Sequence, residues 1–394
     1  MSGFTERPLT SMRKLKEIFN YYFSNIHNLE IFWKKIKNHK KIPEDLKKIF
    51  DSFLNSDSYQ YCSNYWKYLN IRNLKQIMFQ GGIKNYANNV AFNYFTFLDT
   101  PLDMERKMLR SISNIEVTLK SKIFKQSKYL GLKETDHLNR LIIKLYYLIT
   151  KLKLRSKLSQ LSDKGFLDFN DHFLKINNEN ITNDKLVSLL DYKKIEQNIN
   201  LPKVKKVLEI GAGSGRFTQT FLTFNKNTKY IICDIPPAIY ISYKRLKKAF
   251  KNKKIKLCFD CNNYESFEKY LNQNEILFVF PHQIKLLKEN IIDLTIAIDC
   301  IHEMDKKTIK YYFQNINNFS KFIYFSVWKQ TRVPHSSAFK STSNYLDSSN
   351  KTDYQIPTNW KLINQSSLYF PENFDGITYE IKKTTKSKDK AKSI

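Results

Sequence analysis

The stretch Lys206-Val-Leu-Glu-Ile-Gly-Ala-Gly-Ser-Gly-Arg-Phe217, followed by Tyr230-Ile-Ile-Cys-Asp-Ile235, decides how the chain is read. An apolar run ending in an acidic residue passes through three alternating glycines into a helix, and a second apolar run then ends in Asp234. This is the pattern that opens an α/β nucleotide site. Glycine adopts positive φ without a Cβ penalty, so the turn can lie against a ligand. Glu209 can anchor a cationic or hydroxyl group, and Asp234 at the next strand end can accept hydrogens from both hydroxyls of a ribose. In Gly211-x-Gly213-x-Gly215 the next residue is Arg216, so the last glycine of G-x-G-x-x-G is missing. That spacing favours a ligand with no pyrophosphate to wrap.

Outward from this turn, the composition describes a folded protein. The 394 residues suffice for two domains, and 42% are hydrophobic, with 29 Phe and 24 Tyr. The net charge of +29 points to a polyanion or an anionic membrane, but Lys outnumbers Arg more than fivefold. An A/T-rich genome leaves the same imprint, so the charge carries little weight. Cys62, Cys233, Cys258, Cys261 and Cys300 are scattered and odd in number, and no disulfide framework is expected. Cys258-x-x-Cys261 has no accompanying Cys or Cys/His pair, so neither a zinc nor a redox role is expected for it. The amino terminus has no apolar signal segment and no run is long enough to span a bilayer, which predicts a cytoplasmic protein.

Residues 1–200 read as mainly helical, for substrate binding or oligomerisation. Leu15 to Ile36 has helical apolar spacing, and Pro43-Glu-Asp begins another helix. Gln80 to Phe95 is rich in aromatic and amide groups, so Tyr86, Asn89 and Asn93 are candidate substrate contacts, although a core role suits them better. His137 to Lys157 is apolar and basic enough for peripheral contact with a membrane face, but reads better as a core or interface helix. Ser159 to Leu201 is polar, with Asp and Asn marking turns, and closes at a domain boundary. From Val207 strands and helices alternate, predicting a seven-stranded, mostly parallel Rossmann-like sheet over 201–382. Ile255 to Phe259 is weighed as an extra strand, Thr331 to Tyr354 as a loop or lid, and 383–394 as a disordered basic tail.

Ligands of open sheets sit outside the carboxyl ends of the strands. The cofactor half therefore takes Glu209, Gly211, Ala212, Gly213, Gly215 and Asp234, with Ile235 over a ring face. Asp299 belongs at its far end, and His282 or Gln283 on the ring side or toward the substrate. The reacting half takes His302 and Glu303. A hydroxyl is a poor nucleophile, and a histidine titrating near neutrality can remove its proton, with a neighbouring carboxylate to orient it. Glu303 and Asp299 are the alternative bases. Asp299, Glu303 and Asp305 offer hard ligands for a divalent ion, but their adjacency in sequence does not make them converge, so no metal is favoured.

The glycine signature resembles that of Rossmann-like S-adenosylmethionine-dependent methyltransferases. Val207-Leu-Glu-Ile-Gly-Ala-Gly-Ser-Gly-Arg, Asp234-Ile-Pro-Pro, Phe280-Pro-His-Gln283, Ile298-Asp-Cys-Ile-His-Glu-Met-Asp305 and Tyr311-Tyr-Phe313, in this order, resemble the sugar O-methyltransferases of bacterial surface-polysaccharide clusters. The resemblance covers about residues 200–330. It implies S-adenosylmethionine as cofactor, S-adenosylhomocysteine as product, and methylation of a sugar hydroxyl in a glycan, nucleotide-sugar or lipid-linked acceptor. It implies cofactor roles for Glu209, Gly211, Gly213 and Asp234, and substrate or catalytic roles around His302 and Glu303. Relatives often carry Gln where this chain has His302. The alternative is an RNA methyltransferase: Phe217-Thr218 resembles base-dimethylating rRNA enzymes. Those enzymes present Asn-Leu-Pro-Tyr or Asp-Pro-Pro-Tyr after strand four, where this chain has Asp299-Cys-Ile-His-Glu-Met.

Overall fold

The computed structural model describes residues 28–79, 82–84, 86, 117–119, 132–168, 172–333, 344–369 and 374–382. The first part of the chain contributes α1 (Leu29–Ile36), α2 (Glu44–Leu54), α3 (Asn64–Phe79), β1 (Val117–Leu119), α4 (Leu132–Lys151), α5 (Arg155–Leu158), β2 (Leu174–Ile176), β3 (Glu179–Ile181) and α6 (Asn183–Glu196). The alternating part runs β4 (Lys206–Ile210), α7 (Arg216–Phe224), β5 (Lys229–Cys233), α8 (Ala238–Ala249), β6 (Ile255–Leu257), α9 (Tyr264–Gln273), β7 (Ile276–Val279), β8 (Ile292–Ile298), α10 (Lys306–Phe319) and β9 (Ser320–Trp328). It closes with β10 (Gln330–Val333), β11 (Asn344–Asp347), β12 (Trp360–Ser367) and β13 (Phe374–Ile381).

The main sheet has the order β12-β13-β9-β8-β4-β5-β7-β6. The strands from β9 to β6 are parallel, and β13 runs antiparallel to both β9 and β12. This is the predicted Rossmann-like class with eight strands rather than seven. The added strand is β6, the extra strand weighed over Ile255–Phe259: three partly exposed residues at the edge, where only one neighbour is needed. From β4 the chain moves outward through β5, then returns to β8 on the other side of β4. The crevice at this reversal is where such sheets bind ligands.

Because strand residues alternate in direction, each strand serves two cores. Val207, Tyr230, Ile232, Leu294, Ile296 and Tyr324 face a core shared with α1, α2, α3, α7 and α8. Leu208, Ile210, Ile231, Cys233 and Ala297 face one shared with α9 and α10. Burial on both sides explains why these strands read as continuous apolar runs. The N-terminal helices join the first core directly, Phe53 meeting Phe280 edge-on at 5.7 Å, and Tyr61 stacks at 3.8 Å on Tyr311 of α10, beside the second core.

Several sequence expectations change. Of the predicted Leu15–Ile36 helix only α1 lies within the described residues. The apolar face of α4 (Leu141, Ile142, Leu145, Tyr146, Ile149) packs against the β2–β3 hairpin and α6. The polar stretch Ser159–Leu201 is not a run of turns: α6 is buried from Asn183 through Tyr192. Its charges are matched by partners from elsewhere, Asp184 by Arg245 at 3.0 Å, Asp191 by Arg216 at 3.2 Å, and Lys185 by Asp163. The expected loop at Thr331–Tyr354 contains the antiparallel pair β10–β11. Cys258 and Cys261, closely spaced in a chain for which no disulfide framework is expected, are joined by a disulfide. The tail 383–394 lies outside the described residues. Among the described residues no helix is long and apolar enough to cross a membrane.

Arg245 is wholly buried: its Nε donates to Gln219 Oε1 at 3.0 Å, its Nη1 to Asp184 Oδ2 and to Ser214 Oγ, and its guanidinium lies 4.4 Å from the Phe166 ring centroid. Removing one partner leaves an uncompensated buried charge. Asp184→Ala should therefore cost roughly 3–5 kcal/mol in urea unfolding. Replacing both residues together, Asp184→Leu with Arg245→Met, should cost less than Asp184→Ala alone.

Candidate active site

The turn after β4 is built as the glycine spacing requires. Gly211, Gly213 and Gly215 all have positive φ, at 69°, 56° and 74°. Their surroundings differ. A Cβ on Gly211 would lie 2.7 Å from Cys300 Cβ, and one on Gly215 would lie 3.0 Å from Ser242 Cβ. At Gly213 nothing lies within 4 Å, so this glycine alone faces open space. Ala212 beside it is buried.

Asp234, at the end of β5, accepts from Gly213 N–H at 2.8 Å and from Ile235 N–H at 2.7 Å, one per oxygen. It thus shapes the turn, while a carboxylate with about four acceptor positions keeps capacity for hydroxyl donors. Ile235 is partly exposed and leads into the cis Pro236–Pro237 peptide. Glu209 is buried; its Oε2 accepts from Thr218 at 2.6 Å and Tyr230 at 2.7 Å. The predicted anchor is therefore held rigid by two hydroxyls of the protein itself.

At the end of β8, Asp299 has φ +57° and donates its N–H to Ser326 O at 3.1 Å. Non-glycine residues rarely sit there, though Asp tolerates it better than most. Asp299 Oδ1 lies 3.5 Å from His302 Nε2, and the His302 ring is edge-on to Phe374 at 5.8 Å and to Trp328 at 6.3 Å. The carboxylate beside His302 is thus Asp299. Glu303 instead receives a hydrogen bond from Trp66 of α3. Asp305 caps α10 through Thr308 N–H at 2.7 Å, so the three acids of the weighed divalent site have separate tasks.

Arg216 leaves the turn to donate to Ser188 Oγ at 3.1 Å and to Asp191, and it acts electrostatically on Asp299 as well. Asp191 was not legible as a site residue, since its polar stretch shows no periodic signal. Burial raises the carboxyls throughout. Asp234 and Asp299 are pushed up to about 7 and Asp191 to about 6, the last despite Arg216. Glu209 is also raised by burial, and Glu303 well above its usual range by burial and then by Asp299. Cys300, packed on Gly211, feels Glu303, Asp234, Asp299 and Glu209, in that order, after its own burial. Cys300, next to Asp299, lies against Gly211, and Asp234 holds the Gly213 N–H, so acidic strand ends meet at the glycine turn.

The remaining candidates have other partners. His282 donates its backbone N–H to Ser58 Oγ at 3.0 Å, and its Nδ1 is 2.7 Å from the same hydroxyl. Gln283 is fully buried, takes Phe280 N–H at 2.8 Å and donates to Cys258 O and Cys261 O, which gives it a local turn role. Tyr86 is buried and close enough to Asp234 for that carboxylate to help hold its hydroxyl protonated. Asn89 and Asn93 lie outside the described residues. A concavity of about 490 Å³ lined by Lys205, Lys206, Lys288 and Lys321 lies at the opposite, amino ends of the strands and contains none of these groups.

No protein-family model and no curated protein matches the sequence. Among solved structures, the chain is similar to a SAM-dependent methyltransferase from Aquifex aeolicus (13% identity, 50% of this chain and 92% of that one, TM-score 0.34). It is also similar to an S-adenosylmethionine-dependent methyltransferase from Clostridium acetobutylicum (11%, 50% and 91%, TM-score 0.32) and to M. capricolum TrmK in complex with S-adenosyl-homocysteine (14%, 49% and 68%, TM-score 0.30). At these TM-scores the fold assignment rests on the strand order itself.

A carboxyl whose folded pKa is raised binds more protons folded than unfolded. Its contribution to stability is complete below the unfolded value and is lost as pH rises through the folded one. The ligand-free protein should therefore lose thermal stability between about pH 4 and about pH 7, as Asp191, Asp234 and Asp299 ionise. Asp299→Asn should flatten that decline in a series of thermal melts.

Proposed function

We propose that this protein is an S-adenosylmethionine-dependent O-methyltransferase acting on a hydroxyl of a sugar in a surface polysaccharide or its activated precursor. One observation carries the reading: acidic strand ends meet at the glycine turn, with Glu209 closing β4, Asp234 holding the Gly213 N–H, and Asp299 next to Cys300, which lies against Gly211, and desolvation raises all three carboxyls. Buried carboxylates are costly unless a cation offsets them, so the site suits a positively charged ligand. When bound, S-adenosylmethionine would supply a methyl group activated on a sulfonium, and its amino group would add a second positive charge. The open face at Gly213 gives the backbone its approach, with Gly211, Ala212 and Gly215 fixing the turn. Asp234 would take ribose hydroxyls, Ile235 a face of the adenine, and Glu209 and Asp299 the charged end. His282 is assigned to the same ring side, at the seam where Ser58 holds it.

For the reacting half, His302 is the base that takes the acceptor's hydroxyl proton and Asp299 orients its ring. Glu303 and Trp66 hold the acceptor. The mainly helical part, residues 1–200, supplies that wall through α3, and the Rossmann-like part, 201–382, the cofactor side. The sugar class is supported by the order of motifs from Val207 to Phe313 and by Asp299-Cys-Ile-His-Glu-Met standing where amino-group methylases carry a proline-aromatic motif. RNA as acceptor is the second reading, favoured by the net charge of +29.

Titration calorimetry should show S-adenosylmethionine binding that strengthens from about pH 6 to about pH 8, as Asp299 ionises and can pair with the charged end and Asp234 ionises and can accept from the ribose hydroxyls. Asp234→Asn should weaken it by about tenfold or more, equivalent to about 1.4 kcal/mol. His302→Ala should keep binding and lose roughly 10²–10⁴ in turnover. Mass spectrometry of the surface glycan with and without the gene should show loss of one methyl per repeat. An unchanged glycan with altered rRNA methylation would reverse the choice of acceptor, and absence of S-adenosylmethionine binding would end both readings.

A further inference from the structure

At the β6 edge of the sheet, on the side of the carboxyl strand ends, the loops after β6 and β7 meet the end of α2 over a second cavity. Its volume is about 430 Å³, within the range of small-molecule sites. The walls come from two distant parts of the chain, Ser52, Asn55 and Asp57 on one side and Phe259, Asn262 and Lys285 on the other. His282 lines it as well, with Nδ1 2.7 Å from Ser58 Oγ. Glu209, Asp234, Asp299 and His302 do not.

Two of the wall residues carry side chains that the fold leaves unused. Ser56 caps the turn at Asp57–Tyr61 through Ser58 N–H at 3.2 Å, and Asn263 caps α9 through Ser266 N–H at 2.9 Å. Their neighbours Asn55 and Asn262 are exposed, and among the described residues neither side-chain amide has a hydrogen-bond partner. Each amide offers a carbonyl acceptor and two donors, which suits a hydroxyl, itself both donor and acceptor. Phe259 supplies the apolar wall, its ring held by parallel stacking on Phe280 at 3.9 Å. Charge decides the class of ligand. Asp57 and Lys285 lie 3.6 Å apart and cancel, and no other lining side chain is a carboxylate, lysine or arginine. Burial lowers His282 below its ordinary value, so its ring is neutral at pH 7. The lysine-walled concavity at the amino ends of the strands suits an anion, whereas this one suits a neutral polyhydroxyl compound.

The cavity is joined to the reacting half by one stretch of chain. After Asp57 that stretch places Tyr61 on Tyr311, whose hydroxyl donates to Pro281 O at 2.8 Å beside His282, and it reaches Glu303 with Trp66. We propose that this cavity is a second sugar subsite, binding a neutral unit of the acceptor chain other than the unit that is methylated, so that the acceptor is an oligosaccharide or polymer rather than a single activated sugar. The proposal rests on the sugar O-methyltransferase reading for the identity of that chain, and on the neutral, amide-lined cavity for the chemistry of the unit it holds. Holding a second unit raises the local concentration of the reacting hydroxyl, which lowers KM and leaves kcat alone.

The test uses the full-length protein and two kinds of probe: oligosaccharides released by mild acid from the cell's own surface polysaccharide, and the methyl glycosides of their component sugars. Saturation-transfer NMR should show the oligosaccharides binding, with little change between about 50 mM and about 500 mM sodium chloride. The double variant Asn55→Ala with Asn262→Ala should weaken that binding by about tenfold or more while thermal melting is unchanged, since both side chains are exposed. In methyl-transfer assays it should raise KM for the oligosaccharides by a similar factor, with kcat unchanged and KM for the methyl glycosides unaffected. No oligosaccharide binding by the wild type, equal binding by the double variant, or loss of binding with salt would overturn the subsite. Binding that responds to the variant without any methyl transfer would remove the acceptor reading and leave the subsite. Transfer with KM unchanged in the variant would remove the subsite and leave that reading.

Discussion

Two arginines, Arg216 and Arg245, reach from the helices that follow β4 and β5 into one buried helix whose aspartates match them. Neither side of this arrangement is tolerable alone. A charged helix inside the fold needs counter-charges at hydrogen-bond distance, and the arginines would be equally costly without it. The pairing fixes α6 against α7, and so sets one wall beside the glycine turn. Arg216 is the more consequential of the two, since it pairs with Asp191 and also acts electrostatically on Asp299, tempering the charge of the crevice.

The same crevice explains why strain and open space sit side by side. Gly211 is pressed against Cys300 and Gly215 against Ser242, while Gly213 between them faces open space. Asp299 takes a positive φ at the end of β8, which turns it toward His302 and Arg216. Backbone conformations of this kind persist where surrounding structure over-determines them. Here the N–H groups of Gly213 and Asp299 are each tied to a neighbouring strand end.

The turn proposed to hold the cofactor was legible because its geometry is local. Glu209, the glycines and Asp234 belong to one βαβ unit, where spacing alone brings a strand end, a turn and the next strand end together. The half proposed for the acceptor was legible only in part. His302 and Glu303 stand out at the end of a strand pattern, but adjacency suggested that Glu303 would orient His302. The path of the backbone after β8 gives that place to Asp299, three residues back, and turns Glu303 to Trp66. Asp191 carried no signal, because its burial depends on Arg216, distant in sequence.

By itself the sequence determined the alternation of strands and helices from Val207 onward, the glycine turn, and the acidic ends of β4, β5 and β8. Each of these follows from local periodicity or from the unique freedom of glycine. Only the tertiary structure decided that the polar Ser159–Leu201 stretch holds a buried helix, that Gln283 clips the Cys258–Cys261 turn, and that α3 reaches Glu303. These outcomes depend on partners far apart in the chain: a charge is buried or exposed according to whether a counter-charge meets it, and local sequence does not record where that counter-charge comes from.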